Sequence, residues 1–154
     1  MVEKIFDGVF EGGGVKGIAL ISALKRLEEE GVSFNRVAGT SAGAIIAALY
    51  AAGYSINEIK DIIWKKDFND FADVRSLFKK AWYRVVLQFL PLFIPSTGFG
   101  IFSTDTFYQW IKKLLADKEV TDFKSLRGVY LRVFAVDIVS QKLLQIRDSA
   151  HFSK

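Results

Sequence analysis

Two glycine-rich turns near the start of the chain constrain its fold more than any other feature of the sequence. They are Gly12-Gly13-Gly14-Val15-Lys16-Gly17 and Gly39-Thr40-Ser41-Ala42-Gly43. Each follows a short apolar run and precedes residues with helical spacing, so each reads as a sharp strand-to-helix turn. Residues 5–10 form the first apolar run and read as a buried strand. From Val15 the apolar residues Ile18, Ile21, Leu24 and Leu27 recur at helical spacing, and Gly31 closes that helix. Residues 36–38 read as a second strand, and an Ala-rich helix over residues 44–52 ends near Gly53. Ser55 and Glu58 form a capping-box pair that opens a helix carrying Ile59, Ile62 and Ile63. Strands alternating with helices in this way argue for a parallel α/β sheet covered on both faces.

The rest of the chain is less regular. Residues 73–90 read as an aromatic-rich helix, residues 91–100 as a loop, and residues 106–115 as a helix carrying Phe107, Trp110, Ile111 and Leu114. Residues 130–137 and 143–146 read as strands joined by the polar turn Val139-Ser140-Gln141-Lys142. Aromatic and apolar residues from Trp82 to Phe102, beside Lys79, Lys80 and Arg84, suit either core or lid packing or an interfacial patch for acyl chains. With 154 residues the whole chain, 1–154, is the size of a single domain.

Composition removes several function classes. The sequence has no Cys, which excludes disulfides, thiolate catalysis and Cys-based metal sites, and its single His puts the usual zinc constellations out of reach. No metal site is expected. A net charge of +4, without a basic stripe of interleaved aromatics, favours an anionic bilayer surface slightly and does not point to nucleic acid. The start MVEKIFDG lacks the basic residues and long apolar run of a secretory signal. The uncharged stretch 85–104 is broken by Pro91, Pro95, Gly98 and Gly100, so a spanning helix is not expected there. A cytoplasmic or peripheral membrane location is the expectation.

The two glycine turns also carry the candidate chemistry. In the first, Gly12, Gly13 and Gly14 let the backbone approach a ligand with several N–H groups pointing one way, and the following helix adds its positive end. Such a loop suits a phosphate or a developing oxyanion. Gly12, Gly14 and Gly17 also satisfy the G-x-G-x-x-G dinucleotide pattern, but the second strand ends in Val37-Ala38-Gly39-Thr40-Ser41 without the acidic residue that would hold a ribose. A P-loop fails because Lys16 is followed by Gly17. The second turn is a G-x-S-x-G elbow in which Gly39 and Gly43 permit a sharp bend that lifts the Ser41 hydroxyl clear of the sheet. The bland reading of Ser41 is a helix N-cap flanked by glycines. A nucleophile there would have the Gly12–Gly14 loop and the N–H of Ala42 as oxyanion donors.

FEGGGVKG, GTSAG, the helix segment GIFSTDTFYQWI and the strand-turn-strand segment VFAVDIVSQKLLQI together resemble the patatin-like phospholipase family. Lys142 departs from that pattern, standing where an acidic residue is more usual. The resemblance implies a three-layer α/β/α sandwich with a mainly parallel central sheet, and hydrolysis of a lipid or phospholipid ester by a Ser–Asp dyad without a cofactor. It makes Ser41 the nucleophile, Gly12, Gly13 and Gly14 the oxyanion loop, and Lys16 the basic position of that motif. Peripheral membrane contact is a further expectation, resting on the net charge and the aromatic cluster rather than on the resemblance. The dyad Asp would lie in a D-G-A or D-G-G motif after the final strand, yet none follows Ser41, and Asp7-Gly8 precedes the glycine loop. The chain is therefore read as a fragment incomplete at its C-terminus and inactive alone. His151, the sole histidine, reads as a surface residue, and Asp137 as a turn residue rather than a site residue. A non-catalytic lipid-binding or interaction module of the same fold, and a dinucleotide-binding domain, remain as alternatives.

Overall fold

The computed structural model describes residues 4–13, 17–66, 105–126, 128–137 and 139–147. The chain falls into two compact units, Met1–Lys65 with Lys113–Lys154, and Lys66–Lys112. Gly14, Val15, Lys16, the helix and loop expected over residues 73–100, the aromatic residues from Trp82 to Phe102, and His151 lie outside the described residues.

The first unit is built on a four-stranded sheet of β1 (Lys4–Phe10), β2 (Val32–Thr40), β3 (Tyr130–Asp137) and β4 (Lys142–Arg147), in spatial order β1-β2-β3-β4. The first two pairings are parallel and the last is antiparallel. This is the mainly parallel α/β class expected from the glycine turns. Helix α1 (Gly17–Glu29) links β1 to β2, and α2 (Ala42–Ala51) and α3 (Ile56–Lys65) follow β2. Helix α2 packs across β1, β2 and β3, with α1 and α3 against it. The core lies there, in Phe10, Ile21, Leu24, Val37, Ile46, Leu49 and Ile59.

Capping chemistry sets the helix limits. The Ser55 hydroxyl accepts from the Glu58 N–H at 3.2 Å while the Glu58 carboxylate accepts from the Ser55 N–H at 2.7 Å, the reciprocal pair read from the sequence. Helix α3 carries Ile59, Ile62 and Ile63 as expected, with Ile56, Ile59 and Ile63 buried and Ile62 half-buried. Gly31 and Gly53, with φ of 76° and 90°, close the chain after α1 and α2. Helix α4 (Asp105–Asp117) runs slightly beyond its expected limits. Within the first unit, Tyr54 Oη donates to the Leu114 carbonyl at 2.7 Å, and Lys118 reaches Glu58 at 3.0 Å.

Three sequence expectations are corrected. Strand β2 begins at Val32 rather than at residue 36, because it already pairs with β1 at Lys4, ahead of a register shift between Phe6 and Asp7. Phe6 pairs with Phe34 and Asp7 with Arg36, leaving Asn35 as an inserted residue. That insertion puts Phe34 and the buried Val37 on one face and breaks the alternation that marks a strand. Strand β1 is also less buried than its apolar run suggests, with Gly8 and Phe10 buried but Ile5 57% and Val9 82% exposed. Among the described residues of the first unit α2 is the helix that packs across the sheet, and side chains directed to the other face, such as Val9 and Val136, meet solvent. Helix α2 starts at Ala42, two residues early, because Ser41 occupies its N-cap position.

Candidate active site

Parallel pairing of β1 and β2 matches Phe10 with Gly39, so the turns that follow them open at the same edge of the sheet. Ligands of open α/β folds bind at that edge. Ser41 sits there at φ 51°, ψ −127°, outside the regions comfortable for a residue with a Cβ. It is exposed, and its side chain makes no capping hydrogen bond to α2. Its carbonyl instead anchors the first helical turn, accepting from the N–H of Ala44 at 3.0 Å. The N-cap reading of the hydroxyl thus has no hydrogen bond behind it. Strain of this kind costs about 1–3 kcal/mol and persists only where the surroundings enforce it.

The surroundings here are backbone. A Cβ built on Gly39 would lie 2.5 Å from the carbonyl atoms of Gly43, and one on Gly43 only 2.2 Å from the Phe10 oxygen. The elbow is thus clamped between the end of β1 and the first turn of α2, with room for hydrogen alone at both flanking positions. A Cβ on Gly12 would lie 2.8 Å from Ser41 Cβ and 3.6 Å from Ser41 Oγ. The first glycine turn therefore touches the second, and Gly12 borders the serine hydroxyl. Gly17 is different, because its Cβ would meet Ala42 Cβ at an ordinary 3.4 Å.

As the first residue of α2, Ala42 offers an N–H that no intrahelical carbonyl can accept, and the first turn of α2 holds no acidic side chain. The helix end therefore presents positive potential beside Ser41. A hydroxyl raised on a strained bend, a glycine backbone in contact with it and a helix N-terminus can together act on one carbonyl carbon and its oxygen. Of the residues expected at the site, Gly12, Ser41, Ala42, Gly39 and Gly43 are brought together, Gly17 packs beside Ala42, and Gly13 continues the loop. Gly14 and Lys16 lie outside the described residues.

Asp137 is directed elsewhere. Its carboxylate accepts from the Ser140 hydroxyl at 2.5 Å and the Val139 N–H at 3.0 Å, which together lower its pKa and bracket the β3–β4 turn. Among the described residues no group of three His, Asp or Glu could hold a metal ion. A shallow recess between Asp7, Val9, Arg36, Ala38, Tyr130 and Arg132 lies on the open face of the sheet, where the Arg36 guanidinium and Asp7 pair at 2.8 Å. None of the site residues lines it. Sequence reasoning missed the role of the Phe10 and Glu11 carbonyls, against which Gly43 rests. The signal for that contact was Gly43 itself.

The family model described as patatin-like phospholipase matches residues 8–151. The chain is 42% identical over 142 residues to the "Uncharacterized protein YqhO" of Bacillus subtilis, covering 92% of this chain and 47% of that protein. It is 33% identical over 114 residues to the Patatin-like phospholipase domain-containing protein 6 of Homo sapiens, covering 74% of this chain and 7% of that protein. The chain thus spans half or less of the length of these relatives. Among solved structures, the complex of ExoU with SpcU from the type III secretion system of Pseudomonas aeruginosa is similar in fold, with a TM-score of 0.55 and 21% identity, covering 96% of this chain and 33% of that one.

Proposed function

The chain belongs to the patatin-like phospholipase family, and from that premise we propose that it carries the nucleophile and oxyanion loop of a serine acyl hydrolase acting on lipid or phospholipid esters. Residues 1–154 then belong to one patatin-like catalytic domain. Ser41 Oγ attacks the ester carbonyl carbon while its proton passes to a base. The backbone N–H groups of Gly12, Gly13, Gly14 and Ala42 hold the oxyanion, with Lys16 adding positive charge. Collapse of the tetrahedral intermediate expels the alcohol and leaves an acyl group on Ser41, which water removes. The base is proposed to be the aspartate of the family's D-G-A or D-G-G motif. No such motif follows Ser41 in this sequence, so none of the residues described is assigned that role.

One observation carries the reading. Ser41 is held at a positive φ with its hydroxyl exposed and uncapped, beside Gly12. The dinucleotide reading has no comparable support. A lipid-binding module of the same fold without turnover is the second reading. No helix among the described residues is long and apolar enough to cross a membrane, and peripheral contact is the membrane association we propose. Hydrolysis of phospholipid vesicles and of short-chain esters by the full-length protein tests the proposal. Turnover that Ser41→Ala abolishes supports it. Vesicle binding with no turnover by either protein supports the module instead.

A further inference from the structure

We propose that Tyr50 is a positioning residue for Ser41, fastening the far end of α2 to β2 so that the helix holds the elbow at one fixed rotation. The proposal rests on the hydrolase reading for its catalytic consequence, though not for its geometry. The bulge at Asn35 interrupts the β1–β2 ladder beside Phe34. The Phe34 N–H donates to Tyr50 Oη at 3.1 Å. A backbone donor beside a ladder irregularity, costly to bury unpaired, is thereby satisfied by a side chain from the helix that begins at Ser41.

Gly43, Ala47 and Tyr50 stand at i, i+4 and i+7, one stripe of α2. Gly43 is seated on the Phe10 and Glu11 carbonyls at one end of the stripe, and Ala47 is fully buried in its middle. Tyr50 is engaged at the other end, about 10 Å further along at about 1.5 Å per residue. Its ring meets Phe34 edge-on at 5.8 Å, and Phe34 meets Phe10 in the same way at 5.8 Å. Phe10 is the last residue of β1, with only Glu11 between it and the glycine loop. Together with the buried Ile46 and Leu49, the attachments at Gly43 and Tyr50 resist tilting and turning of α2, either of which would shift Ser41 against Gly12.

Tyr50→Phe in the full-length protein removes the hydroxyl and keeps the ring. Steady-state kinetics on a short-chain ester, normalised to the serines that react with a fluorophosphonate, should show kcat reduced about fivefold, the effect of one neutral hydrogen bond, with KM unchanged. Hydrogen exchange followed by mass spectrometry should show faster exchange at Ala44 and Ile45, whose N–H groups bond the Ser41 carbonyl. A merely structural role would lower the melting temperature and the fraction of reactive serine, leaving kcat per reactive serine unchanged. That result overturns the proposal, as does unchanged exchange at Ala44 and Ile45. If the wild-type protein neither reacts nor turns over, the hydrolase reading fails and the exchange measurement still decides whether Tyr50 fixes the elbow.

Discussion

Gly43→Ala tests the clamp around the elbow most severely. The added methyl would sit 2.2 Å from the Phe10 oxygen, 2.6 Å from its carbonyl carbon and 2.7 Å from the Glu11 oxygen. All three are backbone atoms, so no side chain can swing aside. Restoring ordinary contact requires β1 and α2 to part by about 1 Å, and overpacking of this kind typically costs about 1–3 kcal/mol. A displacement of about 1 Å at a reacting group can cost about 100-fold in rate, and this one falls between Ser41 and the proposed oxyanion donors. The expected outcome is a melting temperature several degrees lower and fluorophosphonate labelling of the folded protein slowed by about 100-fold. Gly17→Ala provides the contrast, since its methyl would find 3.4 Å to Ala42 Cβ. Alanine in a helix gains up to about 1 kcal/mol over glycine, so this variant should fold at least as stably as wild type. Wild-type labelling and stability for Gly43→Ala would refute the reasoning.

Other substitutions probe separate parts of the account. Ser41→Gly should raise stability by about 1 kcal/mol in urea melts, because glycine accepts φ 51° without a Cβ penalty and no capping bond is lost, while labelling disappears. Tyr54→Phe should cost about 1 kcal/mol, because the half-buried Leu114 carbonyl loses its donor. Glu58 is held at about 2, chiefly by the Ser55 N–H and then by Lys118. A carboxylate whose folded value is depressed stabilises above its unfolded range and loses that contribution as pH falls toward the folded value. The melting temperature should therefore drop between about pH 4.5 and pH 2, and Glu58→Gln should flatten part of that drop. An identical pH profile for the variant would remove Glu58 from the explanation.

The parts of this fold that a reader could take from the sequence are those where backbone meets backbone. Gly12, Gly39 and Gly43 are glycines because a methyl would collide with Ser41, with the Gly43 carbonyl and with the Phe10 carbonyl. Close approach of this kind leaves its mark on single residues, so it survives without knowledge of the tertiary structure. The Ser55–Glu58 pair was legible for the same reason, being complete within four residues. What stayed hidden depends on partners remote in sequence. The start of β2 was missed because the Asn35 bulge turns Phe34 and Val37 to one face, which no two-residue alternation describes. The exposure of Ile5 and Val9 could not be read from an apolar run, which says that a strand forms and not how many of its faces are covered. The sharp bend at Ser41 was legible in the motif, but its positive φ and the unused capping capacity of its hydroxyl emerge only in the folded chain.

The central claim is that the Ser41 hydroxyl, lifted at the end of β2 beside Gly12, is a nucleophile. Treating the full-length protein with a fluorophosphonate and mapping the adduct by peptide mass spectrometry measures this directly. The account predicts one modified peptide carrying the adduct on Ser41, absent from Ser41→Ala. An adduct on another residue, or equal labelling of the variant, would contradict it.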